Sequence, residues 1–77
     1  MTQTKLDLRG LRCPMPIVRL SQQIKKVNPG DQIIVEATDA AFEPDLSAWA
    51  RQLGHKILEF SGGEVLRAVI EKGGPHG

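Results

Sequence analysis

Lys5-Leu6-Asp7-Leu8-Arg9-Gly10-Leu11-Arg12-Cys13-Pro14-Met15-Pro16-Ile17 is the stretch where the hydrophobic period changes, and that change decides the fold. Lys5 to Arg9 alternates strictly, with Leu6 and Leu8 on one side, as in a half-buried strand. Gly10 ends it. Proline suits the first helical position and disfavours helical geometry in the residue before it, so a helix is expected from Pro14 or Pro16. Ile17, Leu20, Ile24 and Val27 follow at helical spacing, while Arg19, Gln22, Gln23 and Lys26 cover other faces. Lys25 and Lys26 are expected in the last turn, where positive charge complements the helix dipole. Asn28-Pro29-Gly30-Asp31 then turns the chain.

The remaining sequence repeats this switch of period. Gln32 to Thr38 reads as a strand with Ile33, Val35 and Ala37 on one side and Ile34, Glu36 and Thr38 on the other. A second helix is expected near Pro44, with Leu46, Trp49, Ala50 and Leu53 on its apolar stripe and Gly54 at the left-handed terminating position. Trp49 reads as a core anchor, with ligand stacking as the alternative. His55 to Ser61 and Glu64 to Lys72 flank Gly62-Gly63, a hairpin turn signal. In the last strand Leu66, Ala68 and Ile70 alternate with Val65, Arg67 and Val69. The order is βαβαββ. Strands with one polar or mixed face imply helices on one side of the sheet only. The expected class is therefore α/β (α+β): a two-layer sandwich of a mixed four-stranded sheet and two helices.

A chain of 77 residues makes one domain. Residues 1–72 are assigned to it, and 73–77 to a flexible C-terminal tail with nothing to pack. One cysteine and two histidines, His55 and His76, supply neither a disulfide nor a structural zinc, so packing alone must hold the core. The lack of paired cysteines fits a reducing compartment. The first residues lack the apolar run of a signal peptide, and no apolar stretch is long enough to span a bilayer. The expected setting is the cytoplasm, with no membrane partner. Net charge is +1, but Lys5, Arg9, Arg12, Arg19, Lys25 and Lys26 all precede residue 31, against Asp7 alone. That basic half either steers an acidic partner toward Cys13 or is ordinary solvated surface.

Cys13 offers the chain's best nucleophile. The thiolate is its reactive form, and both Arg12 and the free N–H groups of the following helix are expected to favour it. Pro14 and Pro16 remove two of those donors while restricting the loop. In a Cys-x-x-Cys redox motif a second thiol resolves the first; here that position is Pro16, so no intramolecular dithiol cycle can close. A persulfide benefits from this lack, because no internal thiol strips off its outer sulfur. Neither His55 nor His76 is convincingly placed as the base of a cysteine hydrolase. One cysteine and two scattered histidines lack metal-ligand spacing, and no phosphate-binding glycine loop is present. The plain alternative for Cys13 is a small buried hydrophobe.

Leu6 to Pro16 is similar to the Cys-Pro-x-Pro signature of the TusA/SirA-like sulfur carrier family. The likeness continues through Asn28-Pro29-Gly30-Asp31, Thr38-Asp39-Ala40, Asp45, Trp49 and Gly54, and so covers nearly the whole domain. It implies a fold like the C-terminal domain of translation initiation factor three, and a monomer when reduced. It also implies that Cys13 accepts sulfane sulfur as a persulfide from a cysteine desulfurase or rhodanese-like donor. An acceptor protein with a reactive cysteine, of the DsrE/TusD kind, then takes it. The chain would be a non-enzymatic carrier without a cofactor. Supporting roles fall to Arg12 beside the anionic sulfur and to Pro14 and Pro16, which shape the site. Met15 falls either to partner docking or to packing against its own domain. The downstream fates in the family are tRNA 2-thiouridine formation, cofactor assembly and oxidation of reduced sulfur. Met15 departs from the acidic residue that tRNA-thiolating members often carry there, and looks more like members serving other transfers.

Two other classes remain open. An RNA-binding module fits the translation-factor-like fold and the basic N-terminal half, although aromatics are few and charge is near neutral. A regulatory interaction module would use the Cys13 loop only for docking. A ubiquitin-like carrier loading a terminal glycine is disfavoured because Pro75-His76-Gly77 follow Gly73-Gly74.

Overall fold

Leu6 and Leu8 alternate with Asp7 and Lys5 in the first strand, β1 (Gln3–Leu8), which ends with Leu8 fully buried. It pairs in parallel with β2 (Gln32–Ala37), from Gln3 opposite Gln32 to Leu8 opposite Ala37. Parallel neighbours need a crossover rather than a hairpin, and helix α1 (Met15–Ile24) supplies it. Helix α2 (Phe42–Leu53) follows, then the hairpin β3 (Lys56–Ser61) and β4 (Leu66–Glu71). The computed structural model describes residues 3–74, so His76 and the last part of the expected tail lie outside the described residues.

β4 inserts antiparallel between β2 and β3, giving the mixed order β1-β2-β4-β3. Ile33, Val35 and Ala37 of β2 oppose Ile70, Ala68 and Leu66 of β4, and both helices cover this face. Leu20 and Ile24 of α1 and Leu46, Trp49 and Ala50 of α2 complete one buried cluster. Glu36 and Arg67 pair on the opposite face, where no helix lies. The expected two-layer βαβαββ arrangement is the observed one.

The differences are local and have physical causes. Helix α1 stops at Ile24, so Lys25 is its C-cap and Lys26 lies beyond it, not in the last turn as expected. The Lys26 N–H donates to the Gln23 carbonyl at 3.0 Å, a tighter turn than the α-helical ladder. Helix α2 begins two residues before Pro44, which is tolerated in the first turn because an N–H there lacks an intrahelical acceptor. Phe42, ahead of the helix start expected near Pro44, thereby becomes a core residue, 1% exposed. Leu53, expected on the apolar stripe, is 43% exposed at the last helical position, where Gly54 (φ 77°) turns the chain toward the edge strand. Val69 lies on the helix-free face yet is buried, beside Ile34 and opposite the irregularity between Ile57 and Glu59 in β3.

Candidate functional site

The site forms where the chain leaves the C-terminal ends of the two parallel strands. After β1, Gly10 takes a left-handed conformation (φ 82°), and its N–H donates to Thr38 Oγ1 at 2.9 Å. The Leu11 N–H donates back to the Leu8 carbonyl at 3.3 Å. This tight exit from the strand brings Cys13 beside the connection between β2 and α2. There the Cys13 N–H donates to Asp39 Oδ2 at 2.9 Å, and the thiol donates to Asp45 Oδ2 at 3.3 Å. Cys13 is exposed, and the Cys13–Pro14 peptide bond is cis.

Helix α1 starts immediately afterwards. Pro14 occupies its N-cap position and Pro16 is buried in its first turn. Neither proline has an N–H, and that of Met15 donates to the Arg12 carbonyl at 2.8 Å. The donors nearest the sulfur are thus absent or engaged elsewhere. Arg12 is exposed, and the charged groups acting on the thiol are Asp45 and Asp39. The Asp45 hydrogen bond, loss of hydration and the negative field of Asp45 and Asp39 push the Cys13 thiol above the ordinary cysteine range. The expectation that Arg12 and the helix N-terminus favour the thiolate is therefore corrected. Two carboxylates from the other half of the molecule outweigh an arginine on the same loop.

Beside Cys13 lies an open groove of about 330 Å³ between the helices, lined by Cys13, Pro14, Ile17, Asp45, Ala48, Trp49 and Gln52. Trp49 Nε1 donates to Ser21 Oγ at 2.9 Å, tying α2 to α1. Trp49 is 7% exposed, a core anchor with one edge on the groove. Met15 and Val18 are 40% and 38% exposed, so the first turns of α1, which follow the Cys13 loop, carry apolar surface.

His55 belongs to another part of the molecule. Its ring lies 4.9 Å from the Trp49 ring, and its Nδ1 accepts the Gly73 N–H at 2.9 Å. Gly73, read from the sequence as the first tail residue, is held there against the Gly54 carbonyl. Burial, assisted by Lys72, pushes the His55 pKa down. Its acceptor nitrogen is engaged in structure.

The sequence reading placed Cys13, Arg12, Pro14, Met15 and Pro16 in the site, and the structure finds them on one loop and helix start. It adds Asp39, Asp45 and Thr38. Thr38, Asp39 and Asp45 belong to the stretch that carries the family resemblance, with no site role expected of them; only the parallel crossover brings the two carboxylates to Cys13.

Fold and site together define a small α/β domain that displays an exposed cysteine thiol on a short loop beside an apolar groove. The chain belongs to the TusA sulfurtransferase family, whose model matches residues 4–72. It is 43% identical over 72 residues to the putative sulfur carrier protein YrkF of Bacillus subtilis; the match covers 92% of this chain and 39% of YrkF. The chain thus spans about two fifths of that relative. It is 42% identical over 69 residues to the putative sulfur carrier protein YrkI of the same organism, covering 88% of this chain and 92% of YrkI. To the sulfur carrier protein TusA of Allochromatium vinosum it is 36% identical over 55 residues, or 71% of this chain and 72% of that protein.

Proposed function

We propose that this protein is a sulfur carrier in which Cys13 accepts sulfane sulfur as a persulfide and passes it to a cysteine of another protein. The observation that carries this reading is the exposure of the only cysteine at the rim of the inter-helix groove. Family membership and the names of the relatives support it.

The steps follow from thiol chemistry. The Cys13 thiolate attacks the outer sulfur of a donor persulfide, R–S–SH. The donor S–S bond breaks, a new one forms to Cys13 Sγ, and the donor leaves as RS⁻. An acceptor thiolate then attacks the outer sulfur of Cys13–S–SH; the Cys13 S–S bond breaks and Cys13 leaves as thiolate. Nothing is oxidised overall, because the sulfane sulfur keeps its oxidation state. A solitary thiol suits this chemistry, since no neighbouring cysteine displaces the cargo. Donors are cysteine desulfurases or rhodanese-like proteins, and acceptors carry a reactive cysteine. Met15 and Val18 offer the apolar surface on which either partner docks. On this reading the carrier works in a reducing compartment, the cytoplasm, a setting that the lack of paired cysteines supports.

Intact mass after incubation with a cysteine desulfurase and free cysteine tests the reading. One added sulfur atom is expected in the wild type, removed by reductant and absent from Cys13→Ser. A mass unchanged with several competent donors would overturn it.

A further inference from the structure

The empty and loaded forms of Cys13 differ at the atom that Asp45 touches. In the thiol, Sγ carries a hydrogen and donates it to Asp45 Oδ2 at 3.3 Å. In a persulfide, Sγ is bonded to Cβ and to the outer sulfur and has no hydrogen left to give. The geometry points to Asp45 as a positioning residue that favours the empty carrier over the loaded one and so biases the sulfur toward release. This role rests on the carrier reading above.

A second effect has the same sign. A persulfide is more acidic than its parent thiol, so the loaded site is the more anionic at neutral pH. Carboxylates beside it are then repulsive. The groups facing the sulfur are Asp45 from α2 and Asp39 from the β2–α2 connection, with Asp39 Oδ2 held on the Cys13 N–H at 2.9 Å. Arg12, on the cysteine's own loop, is exposed, and the charged groups acting on the thiol are the two carboxylates. Loading thus removes an attraction and adds a repulsion. A carrier benefits from that asymmetry, because tight retention of the cargo would oppose its delivery.

The balanced exchange Cys13–SH + R–S–SH ⇌ Cys13–S–SH + R–SH reads the bias directly. The probe is glutathione persulfide with glutathione at a fixed ratio and neutral pH, and intact mass gives the loaded fraction. Asp45→Asn should raise the loading equilibrium constant about two- to fivefold, the size of a solvent-exposed hydrogen bond from a weak S–H donor. Asp45→Ala, which removes the acceptor outright, should move it the same way, and Asp45→Glu should return it toward wild type. Asp45→Asn should also shift the pH profile of Cys13 alkylation by iodoacetamide to lower pH, which a purely structural role would leave in place. Equal loaded fractions and superimposable pH profiles for wild type, Asp45→Asn and Asp45→Ala would overturn the role of Asp45 and leave the carrier reading standing. A wild type that takes no sulfur from glutathione persulfide or from a desulfurase would remove both.

Discussion

The two ends of helix α2 each hold a titratable side chain from another element, and they treat it in opposite ways. At the N-terminal end Asp45 meets the exposed thiol of Cys13. At the C-terminal end Trp49 and Gly73 enclose His55, which is only partly exposed. Both environments favour the neutral form. Cys13 keeps its proton because carboxylates surround it, whereas His55 sheds its proton because burial and Lys72 penalise the charge. Neutrality therefore does not separate the proposed sulfur-carrying group from a structural one here. Access does: the sulfur faces solvent at an open groove, while the acceptor nitrogen of the imidazole is committed to a backbone N–H.

Trp49 is the residue that touches both ends, so its loss should give the largest effect. It lines the groove, packs tilted against His55 and bonds Ser21 from a position 7% exposed. Trp49→Ala should cost about 3–5 kcal/mol, the range for truncating a buried aromatic. Domains in general have about 5–15 kcal/mol in total. Urea unfolding followed by far-ultraviolet circular dichroism measures it. A cost near zero would mean that the two ends are held independently of this ring.

Gly73→Ala should come next and should separate the ends. A Cβ at Gly73 would run into the Gly54 carbonyl oxygen, and backbone atoms there cannot swing away as a flexible side chain can. Overpacking of this kind costs about 1–3 kcal/mol. The iodoacetamide rate of Cys13 should stay at its wild-type value in the same variant, because Gly73 bonds only the His55 end. A lower melting temperature with unchanged thiol reactivity sharpens the contrast, whereas a changed thiol rate would show the ends to be coupled.

The contrast also marks what the sequence could disclose. Alternation in Leu6–Leu8 and Ile33–Ala37, the stripe from Leu20 to Ile24, and Gly54 at a helix end are local patterns. Each survived folding because local period and tertiary burial agree there. The Cys13 loop was legible for the same reason: a lone cysteine between arginine and proline needs no distant contact to be noticed. The ionisation of Cys13 was not legible. Arg12 is adjacent in sequence, but Asp39 and Asp45 lie 26 and 32 positions away and reach the sulfur only through the parallel pairing of β1 with β2. The same limit hid the packing of Gly73 against Gly54, which joins the end of β4 to the end of α2. Phe42 escaped for a different reason, since Pro44 looked like a first helical residue when it lies inside the first turn.

The smallest effect belongs to pH at the His55 end. Because Nδ1 accepts the Gly73 N–H, the folded ring must be neutral and carry its proton on Nε2. Its folded pKa lies below the ordinary value of 6.5, so the unfolded chain binds more protons as the solution is acidified. The stabilisation is complete above pH 6.5 and is lost as pH falls through the folded value. His55→Asn puts an amide oxygen at the position of Nδ1, keeping an acceptor for Gly73 without a titrating ring, so subtracting its stability curve from that of the wild type isolates the histidine. Urea midpoints between pH 7.5 and about pH 5, above the range where carboxylates dominate, should fall faster in the wild type. Trp49 emission should hold through pH 6.5 and fall only at lower pH, as the imidazolium forms beside the indole. Parallel curves would mean that the imidazole is not held neutral, and the two ends of α2 would then differ in charge as well as in access.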